Sequence, residues 1–118
     1  MSPAIDFRLS LPTDAVLPDY GDGGLLGFAS GLRCWLHDRK AGWAAADIAA
    51  GERALVVLLV IDGLGEVFLD TVGRGSALHA AKRASLSSVC PSTTASAITT
   101  LATGVAPAEH GLNGWFIH

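Results

Sequence analysis

The sequence lacks any apolar run long enough to cross a bilayer. Its longest, Ala54 to Ile61, spans eight residues against the roughly 20 a membrane helix needs. The amino-terminal stretch, Met1 to Leu17, carries Asp6, Arg8 and Asp14 and has no uninterrupted apolar core, so neither a secretory signal nor an anchor is expected there. A cytoplasmic location follows as the default expectation. Basic residues are few and scattered, and the formal net charge is −3, which argues against a nucleic-acid footprint. There are only two cysteines, Cys34 and Cys90, in no CxxC or Cys/His ligand spacing. They read as buried free thiols rather than a disulfide. GxGxxG, GxxxxGK[ST] and GxSxG are all absent, which removes the usual dinucleotide, P-loop and serine-hydrolase signatures.

What is present is a hydrophobic half in a chain of 118 residues, enough for one small domain and too little for two ordinary ones. Residues 1–53 read as an amino-terminal segment. Turn chemistry at Leu17-Pro18-Asp19-Tyr20-Gly21-Asp22-Gly23-Gly24 leads into one amphipathic helix. Its apolar positions are Leu25, Phe28, Leu32, Trp35 and Leu36, and it ends near His37-Asp38. Gly27 and Gly31 weaken it but permit close packing against a neighbour. An alanine-rich helical turn is expected around residues 42–50.

Residues 54–118 read as the rest of a single, incomplete domain. Ala54 to Ile61 is β-branched and leucine-rich without alternation, as suits a strand covered on both faces of a parallel sheet. Asp62-Gly63 then turns into a short helix over Glu66 to Val72, and loop and helix follow over Ser76 to Arg83. A weaker strand is expected over Ala84 to Cys90 with Leu86 and Val89 inward. A helix follows over Pro91 to Gly104, opened by hydroxyls and closed by glycine, and a last strand begins near Gly114. The expected fold class is α/β: a partial parallel sheet flanked by helices, in an incomplete domain. Ligands in such sheets collect at the carboxyl ends of strands, where Asp62 and the Thr93/Thr94 pair would converge. A threonine hydroxyl is a poor nucleophile unaided, and a carboxylate beside it points to a metal. Taken singly, a hydroxyl before a helix is most often only an N-cap and an Asp-Gly after a strand most often only a turn; together, in this order, they carry more.

Three blocks in register bring a family into view: Val60-Ile61-Asp62-Gly63-Leu64-Gly65, then Cys90-Pro91-Ser92-Thr93-Thr94-Ala95-Ser96, then Leu101-Ala102-Thr103-Gly104 with Pro107, His110 and Gly111. Over roughly residues 54–116 the chain closely resembles the type I phosphodiesterase/nucleotide pyrophosphatase family of the alkaline phosphatase superfamily. The approach Pro18-Asp19-Tyr20-Gly21 also looks like the amino-terminal segment of bacterial members. The resemblance implies an alkaline-phosphatase-like sheet and two divalent metal ions, zinc by expectation. It implies Asp62 as the first metal-ligand aspartate and Thr94, itself a metal ligand, as the nucleophile, with Thr93 only its neighbour. It places Thr103, Gly104, Pro107, His110 and Gly111 in the structural frame, with His110 packed or capping rather than ligating. The substrate would be a phosphoester or nucleotide-like small molecule.

Two departures qualify it. The family's phosphoryl-binding asparagine falls where this chain has Trp115, leaving Asn113 as the nearby substitute. The family's further zinc ligands lie downstream of the position where this sequence ends, so the chain alone is expected to be weak or inactive. Three other readings stay open. One is a metal-free hydrolase using Thr94 with His110 and Asp62. Another is a non-catalytic phosphate- or nucleotide-binding module. The third is a decayed structural fragment that associates through an exposed sheet edge.

Overall fold

The computed structural model describes residues 12–38, 55 and 57–115. The amino-terminal eleven residues, the alanine-rich stretch 42–50 and the last three positions of the expected final strand lie outside the described residues. Five helices follow in order: α1 (Leu25–His37), α2 (Glu66–Thr71), α3 (Ala77–Ala81), α4 (Thr94–Thr103) and α5 (Pro107–His110). None of the described helices is long and apolar enough to cross a membrane.

α1 occupies the span its apolar spacing predicts and packs against α4, which in turn carries α5; α2 packs on α3. Ala29, Trp35 and Val89 are the buried apolar side chains among the described residues, joined by Pro107 and by the hydroxyl residues Ser96 and Thr100. Gly27 does permit a close approach, but to the preceding loop: a Cβ there would collide with the Gly21 carbonyl oxygen. The two cysteines are corrected by the structure. Both are free, and both are exposed, Cys34 on α1 and Cys90 in the segment leading to α4.

Among the described residues no strand forms, and pairing is confined to one parallel bridge between Gly24 and Ser87. Leu25 N–H donates to the Ser87 carbonyl at 2.9 Å and Ser87 N–H to the Gly23 carbonyl at 3.1 Å. Of the two residues expected to face inward from 84–90, Val89 is 2 % exposed and Leu86 39 %. Residues 57–61 pair with no other described segment, and Leu55 (89 %), Val57 (78 %) and Leu59 (76 %) stand in solvent. A run of this composition is stable in water only when covered.

The α4 helix is closed at its carboxyl end by the amino-terminal segment. Gly104 adopts φ +69° and donates its N–H to the Thr100 carbonyl at 2.7 Å. The Arg33 guanidinium donates to the Thr103 carbonyl, and Ser30 Oγ donates to the Gly104 carbonyl at 3.3 Å. These donors satisfy carbonyls that a helix end leaves unpaired, and the cation complements its negative pole. A Cβ at Gly104 would also meet Arg33 Cδ at 2.8 Å. Gly104→Ala is therefore expected to cost about 1–2 kcal/mol from the left-handed backbone alone. A melting temperature equal to that of the wild type would contradict this.

A charged pin joins α2 to the segment after α3. Lys82 Nζ donates to Glu66 Oε1 at 2.5 Å and to Asp70 Oδ1 and Oδ2 at 3.0 and 2.9 Å, and Ser85 Oγ also donates to Glu66. The Lys82 hydrogen bond is the main cause holding both carboxyls below their ordinary 4.5 and 3.8; Ser85 adds to it at Glu66. The same two carboxylates, Glu66 foremost, raise Lys82 above 10.5. Because the folded carboxyl pKa values are depressed, the pin stabilises at pH above the unfolded carboxylate range and is lost as pH falls through the folded values. The raised Lys82 contributes fully below its unfolded value and is lost only as pH climbs through the folded one. Thermal stability should thus drop on acidification from about pH 6 to about pH 3, and Lys82→Met should flatten that drop. An equally steep acid limb in the variant would show that the pin contributes nothing. The groups are solvent-accessible, so the effect should be small and salt-sensitive.

Candidate active site

The site is assembled from a turn and a helix start that meet across 32 residues of chain. Asp62 sits in the turn that follows residues 57–61, and its carboxylate is exposed. Thr94 is the first residue of α4, half-buried, and its Oγ1 donates to Asp62 Oδ2 at 3.0 Å. The two residues singled out for metal and phosphoryl chemistry therefore touch.

The local structure separates Thr94 from Thr93 on physical grounds. Thr93 is the N-cap, and its Oγ1 accepts the Ser96 N–H at 3.3 Å. Ser96 Oγ donates to the Leu112 carbonyl at 2.8 Å, so the 3.0 Å contact between the two hydroxyls runs from Thr93 to Ser96. The Thr93 hydroxyl is thereby used in both directions by the cap. That leaves Thr94 as the first-turn hydroxyl facing Asp62, at a helix end whose positive pole and free amides suit an anion. Ser96 is a residue that sequence reasoning passes over. Its signal is there in the Thr93-x-x-Ser96 spacing, the place where a cap hands its partner residue to the first turn.

The Ser96–Leu112 bond also brings the 112–115 loop to the first turn of α4. Asn113 is exposed on this loop, and Trp115 is 73 % exposed. An open groove of about 590 Å³, lined by Val16, Leu17, Pro18, Leu86 and Val89, runs up to Ser92, two residues short of Thr94.

His110 lies outside the reacting pair. Its Nδ1 accepts the Leu112 N–H at 3.1 Å, which places the ring proton on Nε2 facing Thr100 Oγ1 at 3.1 Å. Thr100 is fully buried, so the imidazole satisfies a hydroxyl that would otherwise be stranded. The histidine is packed, as the resemblance implies, and its ring bonds Thr100 and Leu112 rather than Thr94, so the metal-free arrangement has Asp62 but not His110 at the Thr94 hydroxyl. The rest of the frame behaves alike. Thr103 Oγ1 donates to the Thr99 carbonyl at 2.7 Å, Pro107 is buried at the start of α5, and Gly111 ends that helix at φ +75°.

Asp62 and Thr94 are oxygen donors of the kind a divalent cation accepts, but two donors are fewer than the four a tight zinc site uses. Among the described residues no group of three or more His, Cys, Asp or Glu side chains gathers to complete the set. The donors match in kind and fall short in number.

No curated protein and no solved structure is significantly similar to the chain. The model of the type I phosphodiesterase / nucleotide pyrophosphatase family matches residues 56–117, slightly over half of the 118, and takes in Asp62, Thr94 and the whole frame around them. The chain belongs to the type I phosphodiesterase/nucleotide pyrophosphatase family.

Proposed function

We propose that this chain carries the nucleophile and the first metal-ligand carboxylate of a metal-dependent phosphoester or phosphodiester hydrolase. The observation that carries this reading is the 3.0 Å hydrogen bond from Thr94 Oγ1 to Asp62 Oδ2 at the amino terminus of α4. In the reaction, Thr94 Oγ forms a bond to phosphorus while the bond to the leaving oxygen breaks. The hydroxyl proton passes toward Asp62, which already accepts it as a hydrogen bond. Asp62 passes that proton to the leaving oxygen, which departs protonated. Water then attacks phosphorus, its oxygen bonding there as the Thr94 Oγ–phosphorus bond breaks and its proton going to Thr94, and the phosphate product is released. The amides at the start of α4 would donate to the phosphoryl oxygens, and Asn113 is the side chain proposed to bind them from the 112–115 loop. Two divalent ions, zinc by family expectation, would lower the hydroxyl pKa and offset phosphoryl charge when bound. Asp62 and Thr94 are the residues of this chain that would hold them.

Because these donors are too few, the isolated chain is proposed to be weak or inactive, with the remaining ligands supplied from beyond the described residues. The same reading makes 54–61 a strand of a parallel sheet. The exposure of Leu55, Val57 and Leu59 supports it, since such a run calls for cover on both faces.

The test is zinc titration of the purified chain together with its hydrolysis of bis(4-nitrophenyl) phosphate. Weak zinc binding that Asp62→Asn abolishes, with turnover near background, is the expected result. Robust turnover by the isolated chain, abolished by Thr94→Ala, would overturn the claim that further ligands are needed. Tight nucleotide binding without metal, untouched by Asp62→Asn, would replace hydrolysis with a binding role.

A further inference from the structure

We propose that residues 18–37, which lie wholly outside the stretch matching the family, are a brace that positions Thr94, with Tyr20 as the positioning residue. Its catalytic meaning rests on the reading of Thr94 as the nucleophile; its structural content does not. The brace grips α4 from both ends. Upstream, Tyr20 Oη accepts the Cys90 N–H at 3.1 Å, four residues before Thr94. One turn of chain earlier, Ser87 is bound three times: its Oγ accepts the Asp19 N–H at 2.7 Å, and its N–H and carbonyl form the bridge to Gly23 and Leu25. Asp19 Oδ1 in turn accepts the Gly21 N–H at 2.7 Å, which fixes the loop bearing Tyr20. Downstream, Arg33 and Ser30 hold the Thr103 and Gly104 carbonyls. Both ends of α4 are thus referred to one element, α1 and the loop before it, and Ala29 and Trp35 anchor that element by burial.

The consequence reaches Thr94 through the connector 90–93. Pro91 has no N–H to donate, so the Cys90 amide is the last backbone donor before Ser92. With that amide tied to Tyr20, the approach to the helix start is fixed and Thr94 holds the rotamer that reaches Asp62. Freed, the connector can shift by a fraction of an ångström, enough to break a 3.0 Å contact at the helix start.

The experiment is Tyr20→Phe in the full 118-residue chain, which removes one oxygen and keeps the ring. Two readouts are followed by NMR: hydrogen exchange of the Cys90 amide, and the three-bond couplings that report the Thr94 side-chain rotamer. The melting temperature is recorded alongside. The expected result is about fivefold to tenfold faster exchange at Cys90, as loss of one hydrogen bond gives, and Thr94 couplings averaged over rotamers below the melting transition. Thr94 couplings identical to the wild type, whatever happens to the melting temperature, would overturn the proposal, because a merely structural Tyr20 would alter stability and leave the rotamer alone. Should Tyr20→Phe fail to fold, Ser87→Ala cuts the same strap at the Asp19 contact. It is read by the same couplings: averaged values support the brace, and unchanged values overturn it. Failure of the nucleophile reading looks different: in a protein that also carries the remaining metal ligands, Thr94→Ala would leave hydrolysis intact while the rotamer result of Tyr20→Phe stood.

Discussion

In a protein that carries this chain together with the remaining metal ligands, Thr94→Ala should lower hydrolysis of a phosphodiester by about a thousandfold or more, while Thr93→Ala should leave the chemical step nearly intact. The two residues are adjacent, chemically identical and both at a helix start, so the contrast is a strict test. Thr93 has its hydroxyl committed on both sides, accepting the Ser96 N–H and contacting Ser96 Oγ. Removing it costs a cap, about 1 kcal/mol of stability. Thr94 instead presents its hydroxyl to Asp62. Loss of that oxygen removes the atom proposed to bond to phosphorus, and neither Thr93, committed to the cap, nor Ser96, buried and bonded to the Leu112 carbonyl, is placed to replace it. The measurement is single-turnover hydrolysis of each variant at saturating zinc. Equal losses in the two variants would mean that the helix start, not the Thr94 hydroxyl, matters.

The second large effect is on folding. Trp35→Ala should destabilise the chain by about 3–5 kcal/mol, the range for truncating a buried large aromatic. Trp35 is 2 % exposed and is by far the largest of the three buried apolar side chains among the described residues, beside Ala29 and Val89. Against a typical domain stability of roughly 5–15 kcal/mol such a loss is a large share, and a small domain shifts its melting temperature by about 4–8 °C per kcal/mol. The variant should therefore melt tens of degrees lower or show no cooperative transition by circular dichroism. It should also release Arg33 and Ser30 from the end of α4, because α1 carries all three. A cooperative melt within a few degrees of the wild type would show that α1 is not part of the core.

Much of the local structure is legible in the sequence because it is set by short-range chemistry. The 3.6-residue spacing from Leu25 to Leu36 marks α1, and Thr93 with Gly104 brackets α4 through a side-chain cap and a left-handed glycine. Cysteine burial is not legible in this way, since a thiol's exposure depends on which face of an element meets the core, and both thiols prove to be exposed. The α/β sheet remains a proposal for a related reason. Strand pairing is non-local, and residues 57–61 pair with no other described segment.

The sequence by itself determined roughly where α1 to α4 lie, though not that α4 starts at Thr94 rather than Pro91 nor that α5 forms, and it determined the Asp62 and Thr94 blocks and, through them, the family. Only the tertiary structure decided that Thr93 caps while Thr94 meets Asp62, that His110 serves Thr100, and that Tyr20 and Arg33 hold α4 from either end. Caps and periods act over three or four residues, so they can be read along the chain. A hydrogen bond between residues 32 or 70 apart depends on how two elements are docked, and a pattern that repeats every turn does not record that.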